Sequence, residues 1–378
     1  KDRTETQARI SSLSFKDFEP KLAIMPRVSF SFPISDDAAF FANYDVLTQR
    51  AQSRVYSSPL AYYNLERKAG GQIIVNPDLN PEKTTDYQVG FKQKVGPTSA
   101  LTVTAFYREL RDQLQFVQVN NAFPISYNSF QNQDFGTVKG FTFAYDLRRT
   151  SNASLRLSYT LQFANGTGSE STSAGNLINL GLGNIIIPNP LDYDQRHNIV
   201  ASFDYRYGSG ANYDGPDNLR RVLQSLGANI ILRAGSGTPF SRQSPFAKFA
   251  VLNYDERNRQ LVGSLNGSRT PFTSNIDLRL DKDFDLFGGV ETQKNKYILN
   301  VYVQIQNVLN TKNVINVYPT TGNAIDDGYI TSSLGLQEVV AESTADSQSL
   351  IDLYRIKAED PNNFSAPRIS RVGLIFNF

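Results

Sequence analysis

Segments of about ten residues in which apolar and polar side chains alternate recur along the chain. Leu155, Leu157, Tyr159, Leu161 and Phe163 share one parity, and Arg156, Ser158, Thr160 and Gln162 share the other. Ile199, Ala201, Phe203 and Tyr205 alternate in the same way with Asn198, Ser202, Asp204 and Arg206. So do Ile276, Leu278 and Leu280 with Asn275, Asp277, Arg279 and Asp281, and Leu299, Val301, Val303 and Ile305 with Asn300, Gln304 and Gln306. Successive side chains of a strand point to opposite faces, so each segment is a strand with one apolar and one polar face. Weaker copies at 21–33, 38–50, 82–95, 100–118, 135–149, 227–236 and 367–378 bring the expected total to eleven. Residues 1–20 leave room for a twelfth.

Strands of soluble proteins usually run to about five or six residues. A tilted strand that crosses a bilayer needs about 9–11, and most of these reach that length. Links also alternate in length. Short ones are expected at 34–37, 96–99 and 150–153, and a moderate one at 285–294. Long ones are expected at 51–81, 119–134, 167–192, 237–271 and 308–366. The link at 208–226 breaks the order, and its part 218–226 reads as a small helix. Short turns at one end and long loops at the other define an all-β fold, an antiparallel transmembrane β-barrel. A soluble sandwich or propeller predicts shorter strands and no such asymmetry. The longest uncharged stretch, 171–191, carries Gly175, Gly181, Gly183, Pro188 and Pro190, which argue against a lipid-spanning helix.

Composition removes most chemistry. The chain has no Cys and one His, so thiolate metal sites, disulfides and multi-His metal sites are excluded. Lys plus Arg number 38 against 36 Asp plus Glu, which gives no reason to expect nucleic acid. His197 lies near Asp194, but no nucleophile motif accompanies them, and Asp194, Arg196 and Asn198 read as a polar cluster at the rim or inner wall. Asp326-Asp327-Gly328 reads as a turn, because calcium needs about six to eight oxygen ligands and the spaced acidic pattern is missing. Neither enzyme activity, nor a metal, nor a cofactor is expected.

The candidates for ligand contact are therefore the charged residues of the polar strand faces: Arg156, Asp204, Arg206, Arg233, Asp277, Arg279, Asp281 and Arg371. For any one of them, an ordinary place in a wetted wall is the simpler reading. Tyr and Phe at strand ends, among them Tyr44, Tyr107, Tyr205 and Tyr207, read as girdles at the lipid interfaces. Tyr62 and Tyr63 fall in a long loop. Leu350, Ile351, Leu353, Tyr354 and Ile356 have helical spacing, with Pro361 beyond as a stop. That helix either packs on its own loop or docks a surface partner, for which a lipoprotein is the candidate.

Four segments resemble the carboxy-terminal half of TonB-dependent outer-membrane receptors. Asn80-Pro81-Glu82 through Tyr87, Gly90 and Lys92 is similar to one strand start of that family. Asp194-Gln195-Arg196-His197 is similar to another. Val308-Leu309-Asn310 closes a segment that resembles the penultimate strand, and Pro367-Arg368 to Phe378 resembles the last. The terminal Phe378 resembles the signal read by the barrel assembly machinery. The loop 318–329 is similar to receptors that carry an N-terminal carboxypeptidase-regulatory-like domain.

The resemblance implies an outer-membrane importer of a Gram-negative cell, with about 11–12 strands of a 22-strand barrel in residues 1–378. A plug domain, the remaining strands and the contact with the TonB energy-transducing complex would lie outside this chain. A passive porin, or a barrel scaffold within a larger assembly, is the alternative.

Overall fold

The computed structural model describes residues 17, 19–51, 73–74, 76–120, 127–175, 178, 186–244, 261–286, 297–341 and 347–377. Eleven long strands form one antiparallel meander: β1 (Arg27–Ser35), β2 (Ala38–Gln49), β3 (Glu82–Lys94), β4 (Ser99–Val119), β5 (Tyr127–Thr150), β6 (Ala153–Gly166), β7 (His197–Arg206), β8 (Leu226–Gly235), β9 (Thr273–Asp285), β10 (Ile298–Gln306) and β11 (Ile369–Asn377). Each pairs with its neighbours in sequence, and β1 and β11 are the two ends of the sheet among the described residues. No helix among the described residues is long and apolar enough to cross a membrane.

The alternation places the faces as expected. In register, Phe203 lies opposite Ile230, Ile230 opposite Leu278, and Leu278 opposite Ile305, so one face is a continuous apolar sheet. It stays open to its surroundings: Phe30, Val89, Phe141 and Leu374 are 57%, 48%, 50% and 68% exposed. An apolar area of this extent marks a surface that meets lipid or protein. Tyr44, Tyr87 and Tyr107 stand side by side on this face, with ring centroids 5.3 and 6.2 Å apart.

Two expectations are corrected. The link at 119–134 is mostly strand, because β4 and β5 stay paired as far as Val119 and Tyr127. A bulge near Asp112, whose φ is +55°, lets that ribbon rise beyond the neighbouring strands. The first strand starts at Arg27, leaving Asp36 and Asp37 as the turn to β2. The irregular link after β7 holds one helical turn, α1 (Arg220–Leu223), preceded by 3-10 turns at Gly210–Asn212 and Asp217–Leu219. In the last long loop the anticipated helix is α3 (Ser347–Ala358), and a second, α2 (Ser333–Ala341), precedes it. Phe378, Tyr62, Tyr63 and most of residues 1–20 lie outside the described residues.

The small buried core sits under the long loops. Ala51, Leu79, Ala174 and Ile178 cluster with Leu114, Phe116 and Phe130 of the outer β4–β5 ribbon. Below them, Gln115 donates to Asp134 at 2.6 Å and Thr167 donates to the same carboxylate at 2.8 Å. These bonds tie the loop that follows β6 to the β4–β5 ribbon, so the loop end is a folded cap.

Candidate functional site

The polar face of the sheet is the candidate site. All eight residues selected by parity lie on it. Asp204, Asn229, Arg279, Gln304 and Arg371 occupy one cross-strand row. Arg206, Gly227, Asp281, Tyr302 and Gly373 occupy the next. Arg233 and Asp277 lie toward the loops, and Arg156 stands opposite Ser202.

Most of these charges are held by a partner. Arg206 donates to Asp281 at 2.6 Å and to Asp283 at 3.3 Å. Gly227 makes that reach possible, because a Cβ there would come within 2.5 Å of the Arg206 guanidinium. Asn300, which is buried, donates to Asp281 at 3.0 Å and Asp283 at 2.6 Å. Arg233 donates to Asp277 at 2.7 Å, and Asn275 donates to the other oxygen of Asp277 at 2.8 Å. Arg279 lies over the Tyr302 ring at 4.3 Å, and Tyr302 in turn lies where a Cβ of Gly373 would be. Asp204 pairs with Arg149, while Arg156 is 3.8 Å from Asp146. Arg371 stands on the end strand, opposite Gln304. Much of the wall is thus a set of ion pairs, with charge-assisted bonds holding Arg206, Asp281, Arg233 and Asp277.

At the short-turn end the wall opens into a basin of about 720 Å³ lined by Lys92, Lys94, Arg148, Arg149 and Arg156, with Asp146 and Asp204 as its acids. Lys94 is paired with Asp37 at 3.0 Å. Among the described residues, Lys92 and Arg148 have no acidic partner. Lys92, Lys94 and Arg148 were not selected from the sequence, although Lys92 and Lys94 share the polar parity of β3.

The rim cluster around Asp194 includes a partner from a distant segment. Asp194 is 1% exposed and accepts from the Ala164 backbone N–H at 2.7 Å. Its main partner is Arg269, 75 residues away, a pairing that no local pattern signals. Arg196 stays within ion-pair range of Asp194 at 3.6 Å and also lies over the Phe163 ring at 4.9 Å. Leu191 beside it is buried against Val138 and Ala164, which folds this loop onto the polar face.

His197 Nδ1 is 2.9 Å from the Tyr159 hydroxyl, with the two rings stacked, on the apolar face. The nearby Ser236 hydroxyl accepts from the His197 backbone N–H at 3.1 Å. Asp194 and a serine are therefore both engaged away from the imidazole. The Asp326 and Asp327 carboxylates accept from the backbone N–H of Gly328 and Tyr329 at 2.8 and 3.0 Å, as turn residues do. No cluster of His, Cys, Asp and Glu suited to a metal ion exists among the described residues.

A long antiparallel meander with an apolar outer face, a charged inner face, tyrosine girdles and folded loops at one end is the wall of an outer-membrane β-barrel. A profile of the TonB dependent receptor-like β-barrel family matches residues 7–308, and the chain belongs to that family. It is an outer-membrane protein of the Gram-negative type.

No curated protein matches the chain in sequence. Among solved structures, the outer membrane transporter YddB from Escherichia coli is similar with a TM-score of 0.51 and 14% identity, over 76% of this chain and 37% of its own. The ferric-catecholate import receptor Fiu from E. coli K12 gives 0.45 and 13% identity, over 79% and 32%. The FrpB iron transporter from Neisseria meningitidis gives 0.46 and 14%, over 75% and 35%. The chain spans about a third of the length of these proteins.

Proposed function

We propose that residues 1–378 form the carboxy-terminal part of the barrel of a TonB-dependent transporter, which imports a ligand across the outer membrane. The remaining strands, the interior domain that gates the barrel and the contact with TonB would come from other parts of the full protein. The two sheet edges, β1 and β11, that have no pairing strand among the described residues support this division. A strand edge bare in lipid would leave its backbone groups unsatisfied, at several kcal/mol each, so further strands should close the wall.

The observation that carries the reading is the fixed charge of the polar face in a chain of this family. Ion pairs such as Arg206 with Asp281 and Asp283 give that face the fixed charge that suits a wetted interior. The basic basin at its short-turn end would raise the local concentration of anionic groups on the path. Ligand-binding roles for Arg156, Asp204, Arg206, Arg233, Asp277, Arg279, Asp281 and Arg371 belong to this proposal.

Conductance and coupling test it against the porin reading. Full-length protein in a planar bilayer should be closed to small ions. In cells, its ligand uptake should stop when TonB is deleted or a protonophore is added. Steady open conductance together with TonB-independent uptake would replace this reading with a passive pore.

A further inference from the structure

Residues 207–225 join β7 to β8 at the end where 36–37, 95–98 and 151–152 suffice for other strand pairs. The extra length is folded, and it is folded toward the apolar face. Tyr205 and Tyr207 stand on that face with centroids 5.2 Å apart, and Tyr213 packs on Tyr207 at 6.0 Å. Lys282 also points to the apolar side, opposite Leu226. Its ammonium donates to the Arg221 and Val222 carbonyls of α1 at 2.6 and 2.7 Å. Asn152 anchors the far side of the link by donating to Asp214 at 2.7 Å. A lysine on a lipid-facing strand surface is costly unless it reaches polar partners near the interface, and α1 supplies them.

The surface that this platform presents is mixed in a particular way. Leu219 and Val222 are 46% and 59% exposed, and Phe284 and Leu286 nearby along β9 and its end are 42% and 45% exposed. Arg220 and Arg221 lie between the two apolar residues and are exposed. Arg220 is steadied by Gly210 O at 2.7 Å and lies 5.5 Å from the Tyr213 ring centroid. Arg221 has no acidic partner among the described residues. The acids of the link are Asp214, engaged by Asn152, and Asp217 at the preceding turn.

We propose that residues 207–225 form a foot that lies in the phospholipid headgroup layer at the short-turn side of the barrel. Leu219 and Val222 enter the acyl boundary, Arg220 and Arg221 take headgroup phosphates, and Tyr207 and Tyr213 sit at the interface. The surface is continuous with the apolar belt, and its composition is that of an interfacial segment: basic residues beside apolar ones, with aromatic anchors. The proposal depends on the barrel lying in a bilayer and not on what the barrel carries.

The test uses full-length protein in phospholipid nanodiscs, with a fluorophore on Val222→Cys or, as control, on Thr98→Cys in a short turn. Both positions lie outside the strands, and heat-modifiable gel mobility reports that the barrel has assembled. Headgroup spin-labelled lipid should quench the label at 222 about threefold more strongly than the label at 98, as expected for an interfacial residue against a solvated turn. Adding Arg220→Gln and Arg221→Gln should lower quenching at 222 and leave 98 unchanged. Equal quenching at the two positions would overturn the foot. Quenching at 222 that is indifferent to both arginines would overturn their assignment to headgroup phosphate.

Discussion

Asp194 shows how much one residue of the loop end holds. It joins the backbone of Ala164 in β6 to Arg269, which precedes β9, and it is closed to solvent. Removing one partner of a buried pair leaves the other charge uncompensated, at about 3–5 kcal/mol. Asp194→Ala should therefore loosen residues 186–196, read as faster limited proteolysis of that loop with the barrel still assembled. Asp194→Asn, which can still accept from Ala164, should lose less. Proteolysis at the wild-type rate in both variants would show that the pair does not hold the loop.

Tyr354 gives a second test at this scale. Burial, and then the hydrogen bond it donates to Asp327 at 2.5 Å, raise its phenol above the ordinary value of 10.0. A raised folded-state value means that the neutral phenol stabilises the docked helix fully below the unfolded value. That contribution is lost as pH climbs past 10.0 toward the folded-state value. Cleavage within α3 should rise above that pH in the wild type, and Tyr354→Phe should remove the alkaline step. A step that persists in Tyr354→Phe would assign it to another group.

At the scale of the strand, β8 offers a matched pair. Ile230 lies opposite Phe203 and Leu278 on the apolar face, and Ile231 lies opposite Ser202 and Asp277 on the polar one. An arginine on the lipid face near the midplane costs about 2–4 kcal/mol. Ile230→Arg should reduce assembled barrel in a heat-modifiability gel, and Ile231→Arg, facing Asp277, should largely spare it. Equal loss from both would remove the two-faced strand. Strand positions and faces were legible because alternation is local, and all eight parity candidates fell on one face. Partners were not legible, because Arg269 with Asp194 and Asn300 with Asp283 depend on register between distant segments. The outer end of β5 was missed because its residues 127–134 hold only Tyr127 and Phe130 as apolar side chains, on opposite parities, and so lack the alternation that marks lipid-crossing strands, whereas β4 was expected as far as residue 118.

For the whole molecule, the account makes a wall with lipid on one face, a charged interior on the other and opposite ends on opposite sides of the membrane. An epitope inserted between Gly263 and Ser264, in a long loop, should be reached by antibody on intact cells, and one at Pro97 in a short turn should not. The reverse would invert the topology.

The most direct measurement of the central claim is a cysteine scan along β6 in the full-length protein in lipid. Labels at Leu155, Leu157 and Tyr159 should be quenched by acyl-chain spin labels and resist a water-soluble thiol reagent. Labels at Ser154, Arg156 and Ser158 should escape lipid quenching. A period of two in lipid contact along this strand is the predicted result. Uniform quenching, or contact that follows the polar parity, would contradict the assignment of the charged face to the barrel interior.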